Sequence, residues 1–208
     1  MISKGNRRGG LPTFVEGGII QKLERIPFLA GTFKENWIQQ LIHTQPHILP
    51  IDDIESNFSP LIAIGREVST NVGPIDNLFI SPTGYITIVE TKLWRNPEAR
   101  REVVGQILDY AKELKKWSFS DLDNAAKSYN QLNNGNSDGL LTTIRRYEPI
   151  DESEEQYFID NISKNLQRGR FLLLIVGDGI RESVEDMVEY LSHTPQLYFT
   201  LSLIELQV

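Results

Sequence analysis

The sequence predicts an α/β layered domain built on a mixed β-sheet. Three observations carry this expectation. Periodic segments follow one another in the order helix, three strands, helix, insert, strand, helix, strand. Two of the strands flank Ser81-Pro82-Thr83-Gly84, a turn sequence that makes them a hairpin. Phe171–Val176 is almost wholly apolar, as a short strand buried on both faces requires.

Taken in order, residues 1–18 are rich in glycine and basic groups and read as a loose arm, and Ile19–Ile26 reads as a strand or an extended lead-in. The first clear helix spans Thr32–His43. Thr32 and Glu35 have capping-box spacing, Phe33, Trp37, Ile38, Leu41 and Ile42 form an apolar stripe, and Pro46 ends it. Strands follow at Leu61–Val68, Pro74–Ile80 and Tyr85–Lys92. Asn96 then offers an N-cap and Pro97 a first helical residue. That helix runs to about Lys116, with Val103, Ile107, Tyr110, Ala111 and Leu114 on one face. Residues 117–170 form a helical insert, broken by the Asn/Gly-rich stretch 133–139, with a helix expected at Glu154–Arg168. After the Phe171–Val176 strand, Arg181–Leu191 is an amphipathic helix carrying Val184, Met187, Val188 and Leu191 on one side. Leu197–Leu206 is a final strand, a position that also suits a domain cut from a longer chain.

Composition excludes several classes of function. With 208 residues, 40% hydrophobic and 24% charged, the chain is long enough to bury a core without metal or disulfide. It has no cysteine, so thiol nucleophiles and cysteine zinc sites are excluded, and the usage fits a reducing cytoplasm. No apolar run reaches the 18 or so residues of a membrane span, and the basic start leads into no signal-type apolar core. The net charge of −7 has the wrong sign for coating nucleic acid by bulk electrostatics. It is unevenly spread, from +4 over residues 1–34 and +3 over 92–116 to −6 over 117–161 and −5 over 171–208.

The candidate chemistry sits around the hairpin. Strand alternation puts Glu90 and Lys92 on the face that carries Ile86 and Ile88, and the hairpin brings Asp76 towards the same sheet end. Charged groups that continue a buried apolar face are costly unless they pair or bind something. Two carboxylates and a lysine suit a hard divalent cation such as Mg²⁺, whose bound water can attack a phosphodiester. Gln106 and Tyr110 share one helix face at the core edge. Each of these groups has a plainer reading: a capping box for Glu35, a turn residue for Asp76, a surface cross-strand pair for Glu90 and Lys92, and rim packing for Gln106 and Tyr110. Arg95, Arg100 and Arg101 read equally as a phosphate-contact strip or as a solvated helix start paired with Glu98 and Glu102. Trp37, Trp94 and Trp117 read as core or rim, and His43, His47 and His193 do not suggest a metal site.

Gly73-Pro74-Ile75-Asp76, then Glu90-Thr91-Lys92, then Gln106-Ile107-Leu108-Asp109-Tyr110 resemble the motifs of the PD-(D/E)XK nuclease superfamily. They are most similar to its RecB-type branch, with Gly-x-x-Asp, acid-x-Lys and Gln-x-x-x-Tyr. The resemblance covers roughly residues 32–116, and the later strand–helix–strand is compatible with it. One departure is Ile75, where the superfamily usually has the proline that here stands one residue earlier as Pro74. The resemblance implies a three-layer restriction-endonuclease-like fold with an α-β-β-β-α-β core, comprising residues 31–208 behind an N-terminal arm or lead-in of 1–30. It implies hydrolysis of phosphodiester bonds, DNA first, dependent on Mg²⁺ or Mn²⁺. Asp76 and Glu90 would bind the metal, with Glu35 in its shell; Lys92 would be catalytic, and Gln106 and Tyr110 would organise the site. A further domain or protein partner is expected to supply DNA affinity, and the oligomeric state, a homodimer included, stays open. The rival expectation is a non-catalytic module that keeps this fold to bind nucleic acid or a protein.

Overall fold

The computed structural model describes residues 13–16, 19–22, 34–93, 99–180, 182–194 and 196–206. The α/β expectation holds: a five-stranded mixed sheet has helices on both faces. Its strands are β3 (Ile62–Val68), β4 (Ile75–Ile80), β5 (Ile86–Lys92), β6 (Phe171–Gly177) and β7 (Thr200–Glu205), in the spatial order 3-4-5-6-7. The first three strands are antiparallel, and β5, β6 and β7 run parallel. Ahead of the sheet, β1 (Thr13–Glu16) pairs antiparallel with β2 (Ile19–Lys22). The expected loose arm therefore contains a strand. Thr13-Phe14-Val15 is a β-branched and aromatic run whose signal the surrounding glycines obscured.

The helices divide between the faces according to the alternation of the strands. On one side α1 (Glu35–Thr44) and α2 (Ile51–Glu55) meet Phe79, Val89, Leu172, Leu174 and Val176. α1 does this with Ile38 and Ile42, one turn apart. On the other side lie α3 (Ala99–Leu114), α4 (Phe119–Asn133), α5 (Leu140–Tyr147), α6 (Glu152–Arg168) and α7 (Glu182–Ser192). They cover Leu78, Ile80, Ile86, Ile88, Leu173 and Ile175. All seven residues of β6 and all six of β4 are buried, as three layers demand.

Two departures from the sequence expectation bear on the site. The helix expected from Thr32 starts at Glu35, with Lys34 as its N-cap and no side-chain cap, so Glu35 occupies the first helical position. Glu35 is thus not a capping-box acid, which would sit two residues further on; Thr32 itself lies outside the described residues, as do Asn96 and Pro97. The insert resolves into α4, α5 and α6, and α6 clamps the turn of the β4–β5 hairpin. The Asn165 side-chain amide donates to the Gly84 carbonyl at 2.9 Å, and Asn161 donates to that of Thr83 at 3.1 Å. Gly84 has a left-handed φ of 83°, and a Cβ there would lie 3.2 Å from the Phe158 carbonyl oxygen. Only glycine suits that contact.

Candidate active site

The hairpin register brings acids from three strands into one row. Asn77 pairs with Val89, so Asp76, one step earlier, faces Glu90. On its other side the pairs Arg66–Asn77 and Val68–Ile75 bracket Glu67 opposite Asp76. Sequence reasoning foresaw Asp76 and Glu90 and missed Glu67, whose place depends on a register shift at Ala63–Gly65 in β3. Glu67 also has φ of 52°, a conformation that a non-glycine residue keeps only where its surroundings impose it.

Asp76 and Glu90 are 9% and 3% exposed. Asp76 Oδ2 accepts the Thr91 N–H at 2.6 Å. Burial pushes Asp76 up to about 6; the hydrogen bonds from Thr91 and Gln39 oppose this, and the charge of Glu67 adds to it. Glu90 is pushed up to about 9, first by burial and then by Asp76, with Glu35 and Glu67 adding to the repulsion and Lys92 opposing it. One oxygen of Glu90, Oε2, is buried without a hydrogen-bond partner. Glu113 supplies the contrast. Its surface is as well covered, but it is only lightly desolvated, and Asn71 and Lys116 both donate to it and draw its pKa down. Glu113 is a satisfied structural acid. The Asp76–Glu90 pair is short of positive charge.

The neighbouring residues hold this pair in place. The Tyr110 hydroxyl donates to the Pro74 carbonyl at 2.6 Å and accepts from Gln106 Nε2 at 2.7 Å. Burial, reinforced by the nearby acids, pushes the phenol up to about 12, so it stays a donor. Tyr110 thereby fixes the Gly73-Pro74 lead-in to Asp76, where Gly73 has φ of 126°. Glu35 Oε1 accepts the Leu93 N–H at 3.0 Å, joining α1 to the end of β5 just past Lys92. Gln39, one turn further along α1, bonds Asp76 and keeps a buried Oε1 without a partner. The sequence places Gln39 one turn after Glu35 but gives it no role, because the spacing alone does not show what it meets.

The structure therefore gathers Glu35, Asp76, Glu90, Lys92, Gln106 and Tyr110 at one end of the hairpin. Arg95, and the side chains of Arg100 and Arg101, lie outside the described residues. Among the described residues, no group of three or more histidine or acidic side chains could hold a metal ion by itself. The donor set that is present, two carboxylates with one unpartnered buried oxygen, fits a cation that keeps part of its water shell, as Mg²⁺ does. No protein-family model matches the chain, and neither a curated protein nor a solved structure is similar enough to match it.

Proposed function

We propose that the protein is a divalent-metal-dependent nuclease that hydrolyses phosphodiester bonds, with DNA as substrate. The observation that carries this reading is the buried Asp76–Glu90 pair, whose charge Lys92 only partly offsets and whose Glu90 Oε2 has no hydrogen-bond partner. The choice of DNA rests on the resemblance to RecB-type nucleases. Asp76 and Glu90 would hold Mg²⁺ or Mn²⁺, with Glu35 reaching the ion through water. A bound ion of this kind supplies a water of lowered pKa and polarises a phosphate oxygen. Lys92 donates to the attacking water or to the phosphate oxygen on which negative charge develops. Gln106 and Tyr110 keep the Pro74 lead-in, and with it Asp76, in register.

The test is cleavage of single- and double-stranded DNA with Mn²⁺ at low salt, together with titration calorimetry. Asp76→Ala is expected to lose most of the metal-binding heat and all cutting. Lys92→Ala is expected to keep the metal and lose about two to four orders of magnitude in rate. Equal cutting by wild type and Lys92→Ala would overturn the mechanism. Metal binding with no cutting of any nucleic acid would favour a non-catalytic binding module.

A further inference from the structure

A candidate nuclease of net charge −7 needs somewhere to place the phosphates of its substrate, and the described part of the candidate site is acidic. One basic group borders it. Arg66, on the edge strand β3, precedes Glu67 and pairs across the ladder with Asn77, next to Asp76. Its guanidinium is half-buried and has no carboxylate within salt-bridge distance among the described residues. Nη1 donates to the neutral Asn36 Oδ1 at 2.6 Å, and Nε is buried without a partner. Arg66 also lies against Tyr129 of α4, where its charge and hydrogen bond oppose the upward push that burial gives the phenol. The Tyr129 hydroxyl in turn meets His43 Nε2 at 2.8 Å, which fixes the ring. An arginine held by neutral groups with donor capacity left over is set up for an anion.

The space beside it has the right form. Arg66 and Glu67 open into a cleft of about 400 Å³ between the end of β3 and α4, lined also by Ser128, Tyr129, Leu132 and Asn133. Glu67 stands where this cleft meets the acidic row. Its charge is felt by Asp76, Glu90 and Tyr110, so a cation bound at the row would screen it along with them.

We infer that this cleft is a phosphate subsite, in which Arg66, backed by Asn36 and Tyr129, holds the nucleic-acid backbone beside the phosphodiester presented to Asp76 and Glu90. The inference rests on the nuclease reading and adds a docking face over β3 and α4.

The experiment is fluorescence anisotropy of a labelled DNA oligonucleotide with the full chain, in Ca²⁺ to hold the complex uncut, across a salt series. Arg66→Ala is expected to weaken binding about tenfold and to lower the slope of log affinity against log salt by about one. Arg66→Lys should keep the slope and recover part of the affinity. Because Arg66→Ala also removes the bond to Asn36, Ser128→Glu serves as the second variant. It places a carboxylate in the cleft from an exposed position on α4 and should weaken binding similarly with an unchanged circular dichroism spectrum. If wild type binds and cuts DNA while both variants bind it with unaltered affinity and slope, the subsite is overturned and the nuclease reading stands. If wild type fails to cut but the variants lose binding as described, the subsite stands and the nuclease reading falls. No DNA binding by wild type overturns both. Inorganic phosphate bound as tightly as the oligonucleotide would make the cleft a small-anion site and overturn the docking face.

Discussion

Glu90 is buried beside Asp76 with one oxygen unpartnered, so the folded chain holds a proton there that the unfolded chain gives up near pH 4.5. Folded Glu90 releases it only near pH 9, so between these values the folded state binds more protons than the unfolded state. Stability is then greatest below the lower value and declines as pH rises through the window. Asp76 contributes in the same direction between pH 3.8 and about 6. The metal-free protein is therefore expected to melt at progressively lower temperature from pH 5 to about pH 9, and Glu90→Gln should flatten most of that decline. If Asp76 and Glu90 hold a metal as proposed, Mn²⁺ should raise the melting temperature most at the alkaline end, where the pair is ionised. Scanning calorimetry at several pH values checks this, and a flat wild-type profile would contradict it. At this scale Asp76, Glu90 and Lys92 were legible, because alternation and one hairpin suffice to bring them together. Glu67 was not, because its partner is set by a shift in strand register, and Gln39 was not, because its role depends on how α1 docks.

Among the elements, α3 acts on the site through the start of β4. Tyr110→Phe removes the donor to Pro74 and the acceptor for Gln106, leaving buried or half-buried polar atoms unpaired. A loss of about 1–3 kcal/mol in urea denaturation is expected. It should be accompanied by weaker metal binding, since Gly73-Pro74 leads directly into Asp76. A purely structural tyrosine would lower stability and leave the calorimetric metal affinity unchanged. The strand–strand–helix unit was readable because its periodicities of 2 and 3.6 are clean. The insert was harder, and its helix starts show why. α4 begins at Ser118 with Asp121 as the reciprocal partner, and α6 at Asp151 with Glu154. Both are capping boxes in geometry, yet each departs by one residue from the Ser/Thr-x-x-Glu/Gln signature that sequence reading looks for. α5 is only eight residues long, near the limit of what a periodic pattern can reveal.

The whole molecule is acidic, with a net charge of −7, and no helix among the described residues is long and apolar enough to cross a membrane. Its 21 Lys and Arg are outnumbered by 28 Asp and Glu, so the net field opposes approach to DNA. Binding of the isolated chain is expected to be weak and to have a shallow salt slope, far less steep than for a protein making six to ten phosphate contacts. A steep slope in the same anisotropy series would mean that many more cations face the substrate than Arg66 alone. On the proposed reading, tight binding would need a partner or a further domain. The clamp of α6 on Gly84 bears on how the proposed site would receive a cation. The β4–β5 hairpin is held at its turn by Asn161 and Asn165 and at its open end by Tyr110 and Glu35. It behaves as a beam supported at both ends. The spacing of its acids is set by the ladder, so on the proposed reading a cation would enter a seat already assembled when the insert folds.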